Sequence, residues 1–385
     1  MKKVQSKIQA LRNPEVVGPY KKHEVLNLKY ILLWTIQGQE NPFGEGQTPF
    51  VENDCLYQNC YMTTNKELLD DLTKYNAVVI NVTDIKRWKK TNLPQKRSPD
   101  QKYVLYARES SYDVTICNAQ ADSYFNWTWS YKLYSDIFSP FIEVRDKKGN
   151  FIAPSTEVSW RRMNDPVDGS SFGEKKKKAI VYVMKKCRDT AEKIHHHEAK
   201  KLRKALKSEN LEFDMYGCKD RPCPNDDCTK LIKDNYYFYW VDEGSFAEDY
   251  VTDDILKAYD AGVVPIVLGI VDYTKFLPTG SYINAASMTT KNLAALLFYI
   301  LRNPTVYYGF FRWKQYYTIR RPPPNKGVCQ LCSLLNNQRI VQRHVHYELL
   351  RKWWYPGDLD KRCMKIRHLP ENNTLDYTNE TRYLL

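Results

Sequence analysis

Carboxylates and a tyrosine that could bind a polar ligand cluster in one short stretch of this chain. An apolar run at 236–241 is followed by Asp242 and Glu243, and then by Asp249 and Tyr250. Carboxylates accept hydrogen bonds from hydroxyl groups and can act as general bases. Because ligands of open α/β sheets sit beyond the carboxyl ends of the strands, the polar stretch 242–252 predicts a binding site.

The elements that must position these side chains follow from the hydrophobic pattern. The aromatic-rich run 236–241 predicts a buried strand, and Val251, Ile255 and Tyr259 have the spacing of a helix over 249–261. The sequence VVPIVLG, which ends at Gly269, predicts the next strand. Together they predict a strand, helix, strand crossover with a polar loop at the carboxyl edge of the sheet.

The same stretch resembles the donor-binding signature of the α-1,3-fucosyltransferase family. The matching positions stand in register without a gap and are Phe238, Tyr239, Glu243, Ser245, Asp249, Tyr250, Thr252 and Gly262 through Gly269. Three positions differ from the family pattern: Gly244 stands in place of an Asn, and Asp253 and Asp254 stand in place of a Glu and a Lys.

Three further blocks extend the resemblance over most of the chain from Leu28 onward. Residues 278–313 resemble the family's PxGSYI turn, its following helix and its FxW element. Residues 125–141 resemble its NWTxxYRxDSDIxxPY segment, and CQLC at 329–332 resembles its C-terminal cysteine pair.

The resemblance implies both a fold and an activity. The fold would be α/β, with two Rossmann-like domains facing each other across a cleft, the GT-B type of glycosyltransferase. The activity would be transfer of L-fucose from GDP-fucose to a GlcNAc-containing glycan with inversion, forming an α-1,3 linkage in protein glycosylation. No cofactor and no active-site metal would be required, and the partners would be GDP-fucose and an N-glycan or other GlcNAc-containing acceptor.

Hydrophobic and polar runs predict the other elements of two α/β domains. Alternating strands and helices indicate mainly parallel sheets. The predicted strands are 28–35, 77–82, 102–107, 179–184 and 212–216, and the predicted helices are 65–75 and 190–207.

A shift toward Pro, Gly and Lys between residues 145 and 178 predicts the linker between the domains. The predicted segments are a basic stem-like segment at 1–27, an acceptor-side domain at 28–165, a GDP-fucose-binding domain at 166–325, and a cysteine-containing tail at 326–385 that packs back on the core.

Inverting glycosyl transfer needs a base that deprotonates the acceptor hydroxyl. Glu109 follows the strand predicted at 102–107, so it should lie at a carboxyl end of the sheet, and the resemblance places a family Glu there. We predict Glu109 as the catalytic base. A solvated or salt-bridged glutamate at the end of a strand is the alternative interpretation.

The resemblance also implies a set of donor-binding residues. These are Lys193, Glu243, Gly244, Tyr250, Asp253, Asp254 and Lys257. Lys193 takes the place of an Arg that holds the diphosphate, and lysine keeps the charge but loses the bidentate fork.

Asp254 places a negative charge where the family has a positive one. A pair of unit charges roughly 4 Å apart is worth about 4 kcal/mol at an effective dielectric constant of about 20, so the inversion would weaken donor binding strongly. Lys257, or Lys185 and Lys186, could compensate. Free backbone N–H groups at a helix N-terminus near Asp249 could do the same.

Composition limits the classes of partner. The net charge of +13 favours anionic partners, but no nucleic-acid-binding motif accompanies it, so nucleic acid is not expected. Neither GxGxxG nor GxxxxGK[ST] occurs, so a dinucleotide or P-loop site has no direct support.

Ten cysteines and four N-glycosylation sequons, at Asn81, Asn126, Asn372 and Asn379, are compatible with the lumen of the secretory pathway. Disulfides are favoured over zinc, because neither candidate zinc set has the spacing of a standard zinc module. Those sets are Cys218, Cys223 and Cys228, and the CxxC pair with His344 and His346.

The triple histidine at 195–197 falls inside the predicted helix 190–207. Consecutive residues point to different faces of a helix, so the three rings cannot easily share one ion. We therefore expect this cluster at the surface.

No stretch of the sequence approaches the roughly 20 apolar residues of a membrane span. The first thirteen residues are basic but lack the apolar core of a signal peptide. The resemblance implies a lumenal Golgi enzyme of the type II membrane class, with membrane contact only through an anchor that is not seen in this sequence.

Two other function classes remain open from the sequence. A catalytically degenerate fucosyltransferase-like binding or regulatory protein would keep the framework while Gly244 and Asp254 weaken donor binding. A basic nucleic-acid-binding protein has only the net charge in its favour.

Overall fold

The structure is a computed structural model, and it describes residues 27–35, 41–85, 93–94, 96–169, 178–184, 190–217, 221–224, 228–323 and 326–367. The chain divides into two compact units. The first runs to Ser139 and includes Pro323–Leu359, and the second comprises Pro140–Pro322 and residues from Asp360 onward. The domain boundary after residue 165 stays a prediction of the sequence.

The strands that the sequence predicts at 28–35, 77–82, 102–107, 179–184, 212–216 and 236–241 are confirmed to within two residues at each end, and the structure adds strands that the sequence did not predict. The strands are β1 (Lys29–Leu33), β2 (Cys60–Thr63), β3 (Ala77–Asn81), β4 (Lys102–Ala107), β5 (Trp127–Ser130), β6 (Ile137–Phe138), β7 (Glu143–Asp146), β8 (Phe151–Ala153), β9 (Lys178–Val183), β10 (Phe213–Tyr216), β11 (Tyr236–Trp240), β12 (Val264–Val267), β13 (Ile283–Asn284) and β14 (Tyr317–Arg320).

Each unit is built on a parallel sheet. The first unit has the strand order β2-β1-β3-β4-β5-β6, and the second has β10-β9-β11-β12-β13. All six residues of β4 are buried, because helices or loops cover both faces of a parallel sheet. An antiparallel sheet, β14-β7-β8, adds to the second unit. Two Rossmann-like α/β units are therefore confirmed.

The helices differ more from expectation than the strands do. Helix 190–207 is confirmed at its predicted bounds. The α-helices are α1 (Thr48–Glu52), α2 (Thr190–Lys207), α3 (Cys228–Asn235), α4 (Leu256–Asp260), α5 (Thr290–Arg302), α6 (Pro304–Gly309), α7 (Lys326–Asn336), α8 (Gln338–Val341), α9 (Leu350–Trp354) and α10 (Leu359–Arg367).

Two predicted helices are wrong or shortened. Residues 65–75 form turns and a short 3-10 helix, because Asn65 and Asp71 accept hydrogen bonds from the backbone N–H groups of Glu67 and Thr73, at 2.9 Å each. The helix predicted at 249–261 is a 3-10 turn at Asp253–Ile255 followed by α4. It does not begin at Asp249, where the backbone is left-handed with φ +60°.

Residues 326–336 return to the first unit as α7. Cys329 and Cys332 form disulfides with Cys55 and Cys60, and Val328 and Leu331 join the core beside them. Gly327 allows the close approach, because a Cβ there would lie 2.3 Å from Nε1 of Trp129 on β5. Helix α7 is thus part of the core of this unit.

Candidate functional site

The polar loop 242–252 begins where β11 ends, as predicted. Asp242 is 1 % exposed, and its carboxylate accepts hydrogen bonds from the hydroxyl of Tyr182 and from the backbone N–H of Gly244, both at 3.0 Å. Tyr182 belongs to β9, the neighbouring strand. The first carboxylate of the loop is therefore fixed to the sheet.

Glu243 closes the loop on itself. Its Oε2 accepts a hydrogen bond of 2.6 Å from the backbone N–H of Thr252, and the residue is only 3 % exposed. Thr252 in turn caps the following helical turn, because its hydroxyl accepts from the N–H of Asp254 at 3.3 Å. The side chain of Glu243 thus ties the start of the loop to its end.

Asp254 lies below this loop, 1 % exposed. Its Oδ2 accepts from the N–H of Asp242 at 2.8 Å and from the hydroxyl of Tyr239 at 3.1 Å. Its Oδ1 forms an ion pair of 2.9 Å with Nζ of Lys257. Burial and the adjacent Asp254 carboxylate raise the pKa of Tyr239 well above its ordinary value, so the phenol stays a donor. Lys257 neutralises the negative charge that the sequence suggested would repel a diphosphate.

Gly244 is the position at which the family pattern has Asn. Its backbone is left-handed, with φ +69°, and no atom in the part of the chain that the structure describes lies within 4 Å of a Cβ built there. Glycine and asparagine both adopt this conformation readily. The loop therefore has the shape and the space for the missing amide.

The remaining predicted donor residues have separate environments. The ring of Tyr250 is partly exposed and packs edge-on against Phe141, with centroids 5.4 Å apart. Asp253 pairs at 2.8 Å with Arg321, whose side chain is 68 % exposed. Lys193 belongs to α2, but its side chain lies outside the described residues.

Two other predictions concern the charge near this loop. Lys185 and Lys186 lie outside the described residues. The helix N-terminus expected near Asp249 is not formed. Arg321, which sequence reasoning did not place here, supplies an exposed guanidinium beside Asp253.

His195 is buried, and the expectation of a surface histidine is wrong. It is 0 % exposed, and its ring stacks on Phe246 with centroids 4.8 Å apart. Neither ring nitrogen has a hydrogen-bond partner among the described residues. Burial lowers the pKa of His195, and the nearby carboxylates of Asp242 and Asp254 oppose that shift.

A signal for this burial was present in the sequence. His195 stands four residues before Ala199 and seven before Leu202, which gives the three one face of α2, and both of those residues are buried. The helical stripe, rather than the run of three histidines, predicts where His195 lies.

Glu109 follows β4 in the first unit, as expected. It is partly buried, and its Oε2 is shielded from solvent with no hydrogen-bond partner among the described residues. The residues after it are held in place by hydrogen bonds. Ser111 donates its backbone N–H to the hydroxyl of Tyr131 at 2.8 Å, and the hydroxyl of Ser110 donates to the carboxylate of Asp113. Burial, with a contribution from Glu109, raises the pKa of Tyr106 to about 12.

Cysteines of both candidate zinc sets form disulfides. Cys223 pairs with Cys228, and both members of the CxxC pair are bonded to cysteines of the first unit. Disulfides are therefore confirmed. One of the four sequons is unsuitable for a glycan in the folded protein: Asn126 is 8 % exposed, accepts from the N–H of Tyr103 and donates to the carbonyl of Val345.

Comparison with known proteins gives matches along most of the chain. The family model described as fucosyltransferase, N-terminal, matches residues 26–142, and the model described as glycosyltransferase family 10 (fucosyltransferase) C-term matches residues 173–353. Among the described helices, none is long and apolar enough to cross a bilayer.

Curated relatives agree with these models. Alpha-(1,3)-fucosyltransferase C of Drosophila melanogaster is 27% identical over 316 residues, which cover 79% of this chain and 71% of the relative. A 4-galactosyl-N-acetylglucosaminide 3-alpha-L-fucosyltransferase of Rattus norvegicus is 27% identical over 349 residues, 87% of this chain and 84% of the relative. A 3-galactosyl-N-acetylglucosaminide 4-alpha-L-fucosyltransferase of Bos taurus is 27% identical over 289 residues, 74% of this chain and 72% of the relative.

A solved structure shares the fold. The crystal structure of an alpha1,3-fucosyltransferase with GDP-fucose is similar with a TM-score of 0.50 and 13% identity, covering 86% of this chain and 95% of that chain. This likeness agrees with the predicted GT-B class of fold. With both halves of the chain matched by models of one family, the chain is a divergent member of glycosyltransferase family 10, the fucosyltransferases.

Proposed function

We propose that this chain transfers L-fucose from GDP-fucose to a GlcNAc-containing glycan, with inversion, and forms an α-1,3 linkage. Membership of the fucosyltransferase family supports the donor sugar. The names of the Drosophila and rat relatives support a 3-linked product, whereas the bovine relative is named for a 4-linked one. Product linkage is therefore the first property to measure.

The observation that carries the proposal is the carboxyl group of Glu109. A buried acceptor without a partner costs about 1–3 kcal/mol, and such groups are kept where a ligand or reaction uses them. In the proposed reaction Glu109 takes the proton of the acceptor hydroxyl. The acceptor oxygen then bonds to the anomeric carbon as the bond to the diphosphate breaks, and GDP leaves with that electron pair.

The loop 242–252 of the second unit is proposed to bind the donor. Tyr250 and the Asp253–Arg321 pair are exposed enough to contact a nucleotide or a sugar, and Lys193 would add charge for the diphosphate. Glu243 and Asp254 are buried, so we propose that they position the loop rather than contact the donor. Lys257 serves the same purpose through Asp254.

Gly244 favours one alternative function, a catalytically degenerate fucosyltransferase-like binding or regulatory protein. Glycine cannot supply the hydrogen bonds of the family's Asn side chain. Such a protein would keep the framework of the loop, but it would bind GDP-fucose weakly and would not transfer fucose.

Calorimetric titration with GDP and GDP-fucose, together with product analysis by NMR, separates these functions. Donor binding with an α-1,3-linked product supports the proposal. Weak or absent donor binding, with no transfer to any of several GlcNAc-containing acceptors, supports the degenerate protein. The variant Glu109→Gln tests the base, and Glu52→Gln, which changes an exposed glutamate of the same unit, is its matched control for loss of a carboxylate.

We also propose that the protein functions in the lumen of the Golgi. Disulfides persist in oxidising compartments, and this chain has disulfides that fix its tail to its first unit. Non-reducing mass spectrometry of protein from secretory membranes should find the Cys55–Cys329 and Cys60–Cys332 pairs. Free thiols at these four positions in native protein would contradict this localisation.

A further inference from the structure

The second unit contains a cavity that none of the proposed donor residues lines. It has a volume of about 280 Å³. Its walls include Arg161, Arg162, Arg312, Trp160 and Trp313. Among the described residues, none that lines the cavity is acidic. The cavity is therefore basic and aromatic.

Two residues of the cavity wall each have a buried donor without a partner among the described residues. Nε of Arg312 and Nε1 of Trp313 are both buried from solvent with no hydrogen-bond partner among the described residues. Trp313 is only 5 % exposed, so its indole N–H cannot be satisfied by bulk water. A ligand in the cavity would therefore be bound by the guanidinium groups that line it rather than by these two shielded atoms.

The arginines of the cavity are not neutralised from within. Among the described residues, no carboxylate forms an ion pair with Arg161, Arg162 or Arg312. The neighbouring Asp165 instead accepts a hydrogen bond from the hydroxyl of Tyr316. Three guanidinium groups around a cavity of this size therefore favour an anion.

The walls are held in place by contacts outside the cavity. The indole of Trp160 donates to the carbonyl of Thr274 at 2.7 Å and packs edge-on against Tyr317. The backbone N–H of Arg161 donates to the hydroxyl of Tyr317 at 2.9 Å, and Trp313 packs on Tyr259 with ring centroids 4.9 Å apart. The site is thus formed before any ligand binds.

We propose that this cavity binds the acidic residue of a saccharide, through a carboxylate or a sulfate carried on one sugar ring. Guanidinium groups bind such anions with paired hydrogen bonds, and tryptophan faces pack against the apolar faces of sugar rings. The volume lies just below the range of drug-sized ligand sites, about 300–1,000 Å³, and suits one sugar residue. The cavity is a second saccharide site, and its occupancy does not depend on fucose transfer.

Titration of the intact protein with 3′-sialyllactose, 3′-sulfolactose and lactose tests this inference. We expect the two acidic sugars to bind and lactose to bind much more weakly. Arg312→Gln should weaken the binding of an acidic sugar about tenfold to a hundredfold, because a hydrogen bond to a charged group is lost. Added salt should also weaken it. Preference between the two acidic sugars tells a carboxylate ligand from a sulfated one.

Two variants and one competitor make the result decisive. Arg161→Gln changes an exposed residue and should weaken binding even if Arg312→Gln impairs folding, while Arg203→Gln, an exposed arginine of α2, should bind as wild type does. Equal binding of lactose and the acidic sugars, or unchanged binding by Arg161→Gln, overturns the inference. So does displacement of the acidic sugar by GDP, which would assign the cavity to a nucleotide, or equally tight binding of inorganic sulfate.

Discussion

The carboxyl ends of β4 and β11 both carry acidic side chains, yet the two ends differ in how those side chains are satisfied. After β11, Asp242 and Asp254 accept hydrogen bonds from the loop and the sheet, and Lys257 neutralises Asp254. After β4, the Oε2 of Glu109 is buried with no partner among the described residues. Carboxylates held by hydrogen bonds and an ion pair maintain the shape of a loop, whereas a carboxylate oxygen without a partner is available to an acceptor hydroxyl.

The largest effect should come from Glu109→Gln. The amide keeps the size of the side chain but cannot accept a proton, so the rate of fucose transfer should fall by about 10²- to 10⁴-fold, the usual contribution of general base catalysis. The affinity for GDP should stay unchanged. Initial rates at saturating substrate, with calorimetric titration of GDP, measure both quantities. Full activity in Glu109→Gln would show that Glu109 is not the base, and the ends of β4 and β11 would then not differ in function.

Asp254→Lys changes a carboxylate at the carboxyl end of β11 and should destabilise the protein rather than tighten donor binding. The new lysine restores the charge of the family pattern, but its side chain would lie in a buried site beside the like-charged Lys257. Removing one member of a buried ion pair typically costs about 3–5 kcal/mol. Urea denaturation should show this loss.

The adjacent Asp253→Lys is the matched control for that variant. Its pair with Arg321 is largely exposed, and such pairs contribute about 0–1 kcal/mol. Equal stability of the two variants, or tighter GDP binding by Asp254→Lys, would mean that Asp254 faces the donor.

His195 should make the free energy of unfolding depend on pH. Its folded pKa is lowered below 6.5 by burial, so the unfolded chain binds the proton more tightly. Stability should therefore be highest above pH 6.5 and should fall by up to about 1.4 kcal/mol per pH unit below it. His195→Phe, which keeps an aromatic ring against Phe246, should abolish that slope.

His197→Phe, an exposed neighbour on α2, should retain the slope. Chemical denaturation at a series of pH values measures it for both variants. A slope that persists in His195→Phe would assign the pH dependence to another group.

The smallest effect should come from Gly244→Asn. The left-handed backbone and the open space at this position accept asparagine, so the free energy of unfolding should change by about 1 kcal/mol or less. One regained hydrogen bond should tighten GDP-fucose binding about fivefold to tenfold. Gly244→Ala, which lacks the amide, should bind no tighter than wild type. Equal affinity in all three proteins would show that this position does not face the donor.

Strand positions could be predicted from the sequence because a strand buried on both faces leaves a continuous apolar run, as in β4 and β11. The helix expected at 65–75 could not be excluded that way. Asn65 and Asp71 form local hydrogen bonds that compete with a helix, and the apolar spacing does not register them.

The site was predicted at the level of the loop but not of the single side chain. The position of loop 242–252 follows from the end of β11. The burial of Asp254 depends on Tyr239 and the N–H of Asp242, which meet it only through tertiary packing. Arg321 stands 68 positions from Asp253 along the chain, so no local pattern could predict their pairing.

The joining of α7 to the first unit has a consequence for the order of biosynthesis. Cys55 and Cys60 leave the ribosome long before their partners, which are 274 and 272 residues further on. Until then both thiols can form disulfides with other cysteines of the chain. Gly327, which packs against Trp129 in the folded unit, has also not yet been synthesised. The unit that is synthesised first is therefore completed last, and it needs protection from mispairing while the second unit is made.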